Sequence, residues 1–312
     1  EIVKERITDG SKVDFFTNIT WLLNKVRCGH TRGALPQRVN DKFKASQLYL
    51  PLSVKYLGGN LFVKEAFTNE GSLKTGEGII SINDFSVDEI TTKIFEHESS
   101  DGFVNTDKYR VAERNFSYFY QLYVDRSADR YELRIKGLDG SIRTITVTGE
   151  DWETMLNVQK PIRRSPLLNL ELKDNYALMK IWTFGSGSIN NRGEDYYSFL
   201  DKSFAELRKK GTKNLILDLR GNGGGDDNYG ATLVSYFADK PFRYFDRIEV
   251  TEAYSGYGSL ERNNNRNLMT SHKGLSVWEP DENRFQGEVY VLIDGWSFSA
   301  TGEVSGIIKE HR

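Results

Sequence analysis

From residue 161 onwards, runs typical of strands alternate with runs typical of helices. The strand-like runs are "YALMKIWTF", "KNLILDLRGNGGG" and "EVYVLIDG", and helix-like stretches occupy about 194–210 and 227–238. This alternation is typical of an α/β layer in which at least some strands are parallel. A long stretch between Thr251 and Gly287 shows no clear period, and we expect it to form a lid or a substrate-lining loop.

The first 160 residues follow other patterns. Between Asp14 and Val26 apolar side chains recur every three or four positions, which predicts a helix with one apolar face that ends at Gly29. The apolar positions are Phe15, Phe16, Ile19, Leu22, Leu23 and Val26. Further on, short strand-like runs are separated by glycine turns, and "RYELRIKGLDGSIRTITVTG" predicts a hairpin about Asp139 and Gly140.

These patterns divide the chain into three parts. We expect a helical N-terminal segment over 1–45, a β-rich module with a β-hairpin connector over 46–160, and an α/β domain over 161–312. The stretch "QKPIRRSPLLN" is typical of a linker, and we expect it to connect the β-rich module to the α/β domain.

Composition excludes several classes of partner. Lys and Arg number 42 against 44 Asp and Glu, so nucleic acid and anionic membranes are poor partners. Every apolar run is shorter than the roughly 18 residues of a spanning helix, and "EIVKERITDG" lacks the apolar centre of a signal peptide. A single cysteine, Cys28, excludes an internal disulfide framework and a cysteine-based metal site. We therefore expect no cofactor and no metal.

The stretch "LILDLRGNGGGDD" is one candidate for chemistry. The loop Gly221, Asn222, Gly223, Gly224 and Gly225 contains four glycines, which can point bare backbone N–H groups into a cleft, and this is how an oxyanion is held. The loop matches neither a P-loop nor a dinucleotide fingerprint. We expect Asp218 and Arg220 to pair and support the loop, and Asp226 or Asp227 to cap the next helix. An acid/base pair or a divalent metal site on these aspartates is the alternative.

The stretch "DGWSFSATGEV" is the second candidate. An apolar strand ends at Asp294, and Ser299 opens a helix whose first residues are small. A serine there lies in the positive end of the helix dipole, where an alkoxide and a neighbouring oxyanion are both stabilised. An ordinary N-cap is the competing explanation, because serine is a preferred capping residue. Ser297 is the alternative nucleophile.

Taken together, "NLILDLRGNGGG" and "VYVLIDGWSFSATGE" resemble the C-terminal processing peptidase family, or tail-specific proteases, whose relatives include the tricorn core protease and retinoid-binding-protein repeats. The resemblance implies that Ser299 is the nucleophile and that the amides of Gly224 and Ala300 form the oxyanion hole. It also implies a ClpP/crotonase-like layered α/β catalytic domain, preceded by the helical segment and by a PDZ-like module, since "LFVKEAFTNEGSLKTGEGIISINDF" resembles the module with which these peptidases hold polypeptides.

The general base has to be sought elsewhere in the chain. "CGHTR" around His30 resembles the His-Thr element of the tricorn-like branch, which uses Ser, His and Glu, so the resemblance implies that His30 is the base. The family commonly has an acid three residues after the nucleophile, where this chain has Gly302 and then Glu303. The third catalytic residue, Glu or Lys, falls beyond Arg312. The other histidines are His97 in an acidic run that reads as a solvated face, His272 as a candidate substrate contact, and His311.

The sequence therefore predicts a serine endopeptidase or C-terminal processing protease that hydrolyses extended or unfolded polypeptides through a Ser-His-Glu triad. A Ser-Lys dyad is the alternative within the family. A non-catalytic binding protein on the same scaffold and crotonase-like acyl chemistry are the alternatives outside it. The partner is a polypeptide substrate, the oligomeric state is open, and the resemblance implies an extracytoplasmic location, in the periplasm or at the outer membrane.

Overall fold

The computed structural model describes residues 10–67, 73–158, 164–250, 260–263 and 266–312. The chain divides into two compact units, an N-terminal unit of Glu1–Ile162 and a C-terminal unit of Arg163–Arg312. Within the described ranges, no helix combines the length and the apolar character that crossing a membrane requires.

The first helix, α1 (Lys12–Val26), confirms the predicted helix and corrects its end. It begins at a capping box in which Ser11 and Asp14 exchange hydrogen bonds. It ends because Arg27 adopts a left-handed conformation with φ 56°, so the prediction that Gly29 stops it is wrong. The predicted apolar face is also only partly covered, since Phe15 is 54% exposed and Val26 is 58% exposed.

One antiparallel sheet organises the N-terminal unit. Its strands occur in the order β1-β2-β3-β5-β6, with β4 paired to β3. In β5, Tyr131, Leu133 and Ile135 are buried and alternate with exposed residues, which is the period of a strand with one covered face. The strands are β1 Leu52–Leu57, β2 Asn60–Ala66, β3 Gly78–Ile82, β4 Phe85–Ser86, β5 Arg130–Lys136 and β6 Ile142–Thr148. The helices that follow α1 are α2 Gln37–Ala45, α3 Val87–Phe95, α4 Thr106–Phe119, continued by a π-helical turn at Tyr120–Val124, and α5 Trp152–Val158.

The predicted hairpin is confirmed, but it is not a connector. Strands β5 and β6 pair along their whole length, and Gly140 in the turn between them has φ 83°. Strand β3 pairs with β5 on its other side. The hairpin therefore belongs to the same sheet as the preceding β-strands.

The C-terminal unit is the predicted α/β layer. Its sheet has the order β15-β9-β8-β7, in which β8, β9 and β15 are parallel and β7 is an antiparallel edge. One face of the central strands is buried in the hydrophobic core, whereas Leu178 and Ile216 on the other face are half-buried. The strands are β7 Leu168–Leu172, β8 Ala177–Ile181, β9 Asn214–Asp218 and β15 Glu288–Leu292, and the helices are α6 Ser186–Asn190, α7 Tyr196–Lys210, α8 Asp227–Ser235 and α9 Ala300–His311.

The long stretch after Thr251 is more regular than expected. It contributes to a small antiparallel sheet of order β11-β13-β12 and to the two-stranded pair β10-β14. These strands are β10 Phe242–Arg243, β11 Ile248–Val250, β12 Leu260–Asn263, β13 Arg266–Met269 and β14 Val277–Trp278. Residues 251–259 and 264–265 lie outside the described residues, and the role of the stretch as a lid stays a prediction.

Candidate active site

Two loops leave neighbouring strands at the same edge of the C-terminal sheet. The glycine loop, residues 219–226, follows β9, and the serine loop, residues 293–299, follows β15. Strands β9 and β15 are parallel, and their last residues, Asp218 and Leu292, are register partners. The carboxyl edge of parallel strands is where α/β proteins place their functional groups.

Hydrogen bonds join the two loops closely. The glycine-loop carbonyls of Leu219 and Asn222 accept from the serine loop, and the Asp294 carboxylate accepts from the amide of Gly221. Because most of these bonds involve the main chain, the loops hold each other in one arrangement. The bonds run from Ser297 Oγ to Leu219 O (2.9 Å), Gly221 N to Asp294 Oδ1 (2.9 Å) and Phe298 N to Asn222 O (3.1 Å).

Ser299 has a strained backbone at the junction between strand and helix. Its φ is 55° and its ψ is −129°, and its side chain makes no capping hydrogen bond. A residue other than glycine in this backbone conformation costs free energy, and such residues are usually found where function requires them. Hydrolase nucleophiles occupy such sharp turns between strand and helix, which expose the hydroxyl. The explanation of Ser299 as an ordinary N-cap is therefore wrong.

Ser297, the alternative nucleophile, is a structural residue. Its hydroxyl donates to Leu219 O at 2.9 Å and accepts from the amide of Asp294 at 3.0 Å. These bonds fix the serine loop against the glycine loop.

The paired glycines lie where no side chain fits. A Cβ on Gly224, whose φ is 93°, would lie 2.7 Å from Phe298 O and 2.8 Å from Ser299 Cβ. A Cβ on Gly225 would lie 2.2 Å from the carbonyl carbon of Phe184. Gly224 therefore lets the loop backbone lie directly against Phe298 and Ser299, and Gly225 lets it lie directly against Phe184.

The two glycine amides point in different ways. The Gly224 amide donates to Asn222 Oδ1 at 2.9 Å, so in this conformation it is engaged. The Gly224 carbonyl accepts from Phe184 N at 2.9 Å on the β8 side. Across a trans peptide, the amide of Gly225 points the opposite way, away from Phe184.

Asn222 is a residue that the sequence analysis missed. It is fully buried, and its side-chain amide donates to Ile181 O at 3.1 Å while its Oδ1 accepts from Gly224. Its main-chain carbonyl accepts from Phe298 N. Asn222 thus ties the end of β8, the glycine loop and the serine loop together. A polar residue inside a glycine run was the available signal.

The predicted pair of Asp218 and Arg220 is confirmed as a bidentate ion pair, with distances of 2.9 and 2.8 Å. Lys180, which the sequence analysis missed, lies 2.9 Å from the same carboxylate and donates to Arg220 O at 2.6 Å. Burial opposes ionisation of Asp218, but hydrogen bonds from Arg220 and Lys180 outweigh it and lower its pKa to about 2. Asp218 is therefore a permanent anion that supports the loop, and the acid/base alternative is unsuited to it.

Asp226 and Asp227 have separate roles. Asp226 caps α8, accepting from the amide of Asn228 at 2.9 Å. Asp227 lies 3.8 Å from His272 Nε2, while His272 Nδ1 accepts from the amide of Gly274 at 3.1 Å. Because both ring nitrogens of His272 face these partners, His272 is poorly placed to accept a proton from a serine.

His30 lies in the N-terminal unit, on an exposed turn after α1. The turn is closed by a hydrogen bond from Thr31 N to Cys28 O at 3.0 Å, and Gly29 N donates to Asp101 Oδ1 at 2.6 Å. Ser299, Ala300 and the paired glycines are thus assembled in one unit, whereas His30 belongs to the other, and its role as base stays a prediction.

The same turn brings together a set of donors that cysteine spacing does not predict. Ligand atoms of Cys28, His30 and Asp101 all lie within 4.8 Å of one another, a donor set that could hold a metal ion. Asp101 is brought to the turn only by the fold, so the expectation of no metal stays untested.

The two other histidines have structural partners. The His97 ring stacks on Tyr123, with centroids 4.4 Å apart, and its Nδ1 lies 3.1 Å from Thr20 Oγ1. The expectation that His97 lies on a solvated face is therefore wrong. His311 Nδ1 lies 3.0 Å from Asp239 Oδ1.

Solved structures of low sequence identity share this fold. Mature CPAF complexed with lactacystin matches with 12% identity and a TM-score of 0.65, over 99% of this chain and 76% of that chain. Mature CPAF alone matches with 13% identity and a TM-score of 0.62, over 99% and 74%. The photosystem II D1 C-terminal processing protease matches with 16% identity over 99% and 70%, but its TM-score of 0.37 is too low to establish a common fold.

Comparison with curated proteins gives no significant match. The model of peptidase family S41 matches residues 175–312, which contain the glycine loop, the serine loop and the parallel sheet that positions them. Residues 175–312 therefore belong to peptidase family S41, the C-terminal processing family of serine peptidases that the two motifs predict.

Proposed function

We propose that this protein is an endopeptidase or C-terminal processing protease that cleaves extended or unfolded polypeptides, with Ser299 as the nucleophile. The strained, uncapped backbone of Ser299 against Gly224 carries the proposal. The hydroxyl attacks the scissile carbonyl, a base takes the hydroxyl proton, and the same group returns that proton to the leaving amine. Water then hydrolyses the acyl-enzyme and regenerates the serine.

The oxyanion of the tetrahedral intermediate needs two donors. The amide of Ala300 is at the first position of α9, where helix geometry provides no intrahelical acceptor. Of the paired glycines, Gly224 was predicted as the second donor, but its amide donates to Asn222. The amide of Gly225, which points away from Phe184, is the other candidate. We assign the second donor to this glycine pair, with Gly225 serving in the conformation described and Gly224 only after Asn222 releases it.

The base is His30 in this proposal, oriented by a glutamate beyond Arg312. His272, which lies beside Asp227 just after the glycine loop, has both ring nitrogens facing other partners, and this favours the choice of His30 that the resemblance implies. The proposal requires the imidazole of His30 to come within hydrogen-bond reach of Ser299 Oγ in the active enzyme. A Ser-Lys dyad with a downstream lysine is the competing mechanism.

The polypeptide substrate would be held by the PDZ-like module, through strand addition to its sheet. We take that module to run to Thr148, because β3 pairs with β5, and β5 with β6, in the same sheet. The periplasmic or outer-membrane location stays a proposal that rests on the family alone.

Active-site labelling tests the nucleophile. A fluorophosphonate probe added to the full-length protein should label Ser299, as located by peptide mapping. Ser299→Ala should abolish the label, and the matched variant Ser297→Ala should keep it because the Ser297 hydroxyl is engaged in holding the loops.

Two results would count against the proposal. A label mapped to Ser297 would move the nucleophile. A folded full-length protein that takes no label and cleaves no unfolded polypeptide would favour the non-catalytic binding protein.

A further inference from the structure

We propose that Cys28, His30 and Asp101 form a zinc site, and that zinc bound there withdraws His30 from catalysis. The site itself depends only on the N-terminal unit. The inhibitory effect rests on the proposed function, in which His30 is the base.

The fold brings the three donors together from two segments of the chain. Cys28 and His30 lie on one turn, which the Thr31 amide closes by donating to Cys28 O at 3.0 Å. Asp101 comes from the segment after α3 and is held to this turn through the amide of Gly29, which donates to Asp101 Oδ1 at 2.6 Å. All three ligand atoms lie within 4.8 Å of one another.

A second tie fixes the same two segments. The amide of Gly102 donates to Arg27 O at 3.0 Å, directly beside the bond between Gly29 and Asp101. The main chain is thus set before any ion arrives, and only the side chains need to close on it. The amide of Gly29 also orients the Asp101 carboxylate, as outer partners of metal ligands commonly do. His30 and Asp101 are exposed and Cys28 is half-buried, so an ion can reach the site from solvent.

The donor types select the metal. A thiolate, an imidazole and a carboxylate are the three ligand types that zinc takes in proteins, and three protein ligands leave the fourth tetrahedral position to water. Magnesium and calcium prefer oxygen donors throughout, and this site offers a single carboxylate. Zinc is therefore the ion that the site fits best.

Zinc binding would compete directly with catalysis. The ring nitrogen that coordinates zinc can no longer accept a proton, and an imidazole held by Cys28 and Asp101 through the ion can no longer turn towards a serine. Binding replaces the thiol proton of Cys28 with the metal and releases that proton to solvent. The effect is a reversible block on the base.

Cobalt serves as the spectroscopic probe of the site. The full-length protein, stripped of metal with a chelator, should develop a thiolate-to-cobalt charge-transfer band that saturates at one equivalent of Co²⁺ and disappears when Zn²⁺ is added. Cys28→Ser should abolish the band. Asp101→Asn, which keeps an oxygen acceptor for the Gly29 amide, should weaken binding by about tenfold or more. The control His272→Ala should bind cobalt like the parent.

The activity measurement separates the switch from the site. Zinc should inhibit the parent at least about tenfold at saturation, and Cys28→Ser should keep the parent's metal-free activity while resisting zinc. A folded parent without the cobalt band overturns the site. A band with no zinc inhibition of an active enzyme overturns the switch. A parent that gives the band but has no peptidase activity confirms the site and refutes the proposed function, and the switch with it.

Discussion

The loops around Ser299 and the turn around His30 are built in opposite ways. In the C-terminal unit, main-chain hydrogen bonds join the glycine and serine loops, and Asn222 is fully buried between them. In the N-terminal unit, His30 is exposed on a turn after α1. The contrast indicates that Ser299, the proposed nucleophile, is preorganised by its own unit, whereas the proposed base lies on a turn that is open to solvent and ligands.

This difference follows from what each group has to do. Stabilising an oxyanion requires fixed dipoles, because dipoles that reorganise during the reaction lose most of their effect. A base needs only to come within hydrogen-bond reach of its proton in the reacting complex. We therefore expect the loops around Ser299 to tolerate changes of backbone geometry less well than the turn around His30.

The largest expected effect concerns His30, the proposed base. His30→Ala should lower kcat by on the order of a thousandfold or more, comparable with Ser299→Ala, because triad members act as a unit. The double variant should be no worse than either single variant. Steady-state kinetics of the full-length protein provide the measurement.

Circular dichroism of each variant controls for folding. A folded His30→Ala enzyme within tenfold of the parent would remove His30 from the mechanism and favour the Ser-Lys dyad. The contrast between the loops around Ser299 and the turn around His30 would then have no bearing on catalysis.

The next largest effect is expected at Gly224, where the glycine loop contacts the serine loop. Gly224→Ala should lower kcat at least about a hundredfold, because the new Cβ would lie 2.7 Å from Phe298 O and 2.8 Å from Ser299 Cβ. The positive φ of Gly224 adds a strain of about 1–3 kcal/mol. The matched control is Gly223→Ala, where a Cβ meets nothing within 4 Å, and its activity should stay close to that of the parent.

Equal losses of kcat in both variants would show that any substitution in the glycine loop lowers activity. The contact of Gly224 with the serine loop would then have no special role. Near-normal kcat in a folded Gly224→Ala enzyme would show that the loops move apart easily. The second result would contradict the preorganisation of the loops around Ser299, because neither region would then be rigid.

Sequence patterns located the elements of this site better than its contacts. The parallel strands, Ser299 as the first residue before α9 and the pair of Asp218 and Arg220 were all predicted, because each depends on local periodicity or on neighbours two residues apart. The cap of α1 was misplaced, because Arg27 in a left-handed conformation has no sequence signal that competes with a nearby glycine such as Gly29.

Contacts between distant segments were out of reach. Lys180 reaches Asp218 only because β8 and β9 are adjacent parallel strands. Asp101 is brought to Cys28 and His30 by hydrogen bonds between distant segments, from Gly29 N to Asp101 Oδ1 and from Gly102 N to Arg27 O. Neither pairing follows any local period, so a single sequence contains no pattern that predicts them.

The smallest effect measures how firmly the glycine loop is anchored. Asp218 is 6% exposed, and its folded pKa of about 2 is below the value near 4 of an unfolded aspartate. Its ionised form therefore stabilises the fold by about 2 to 3 kcal/mol above pH 4, and that contribution is lost as the pH falls from about 4 to about 2. Asp218→Asn should lower the free energy of unfolding at pH 7, and the difference from the parent should shrink steadily on acidification, as urea unfolding at a series of pH values would show. The matched control is Glu171→Gln, since the ion pair of Glu171 with Lys173 at 2.8 Å is exposed and surface pairs contribute little. A gap between parent and Asp218→Asn that stays constant down to pH 2 would mean that packing, and not charge, anchors the loop at β9.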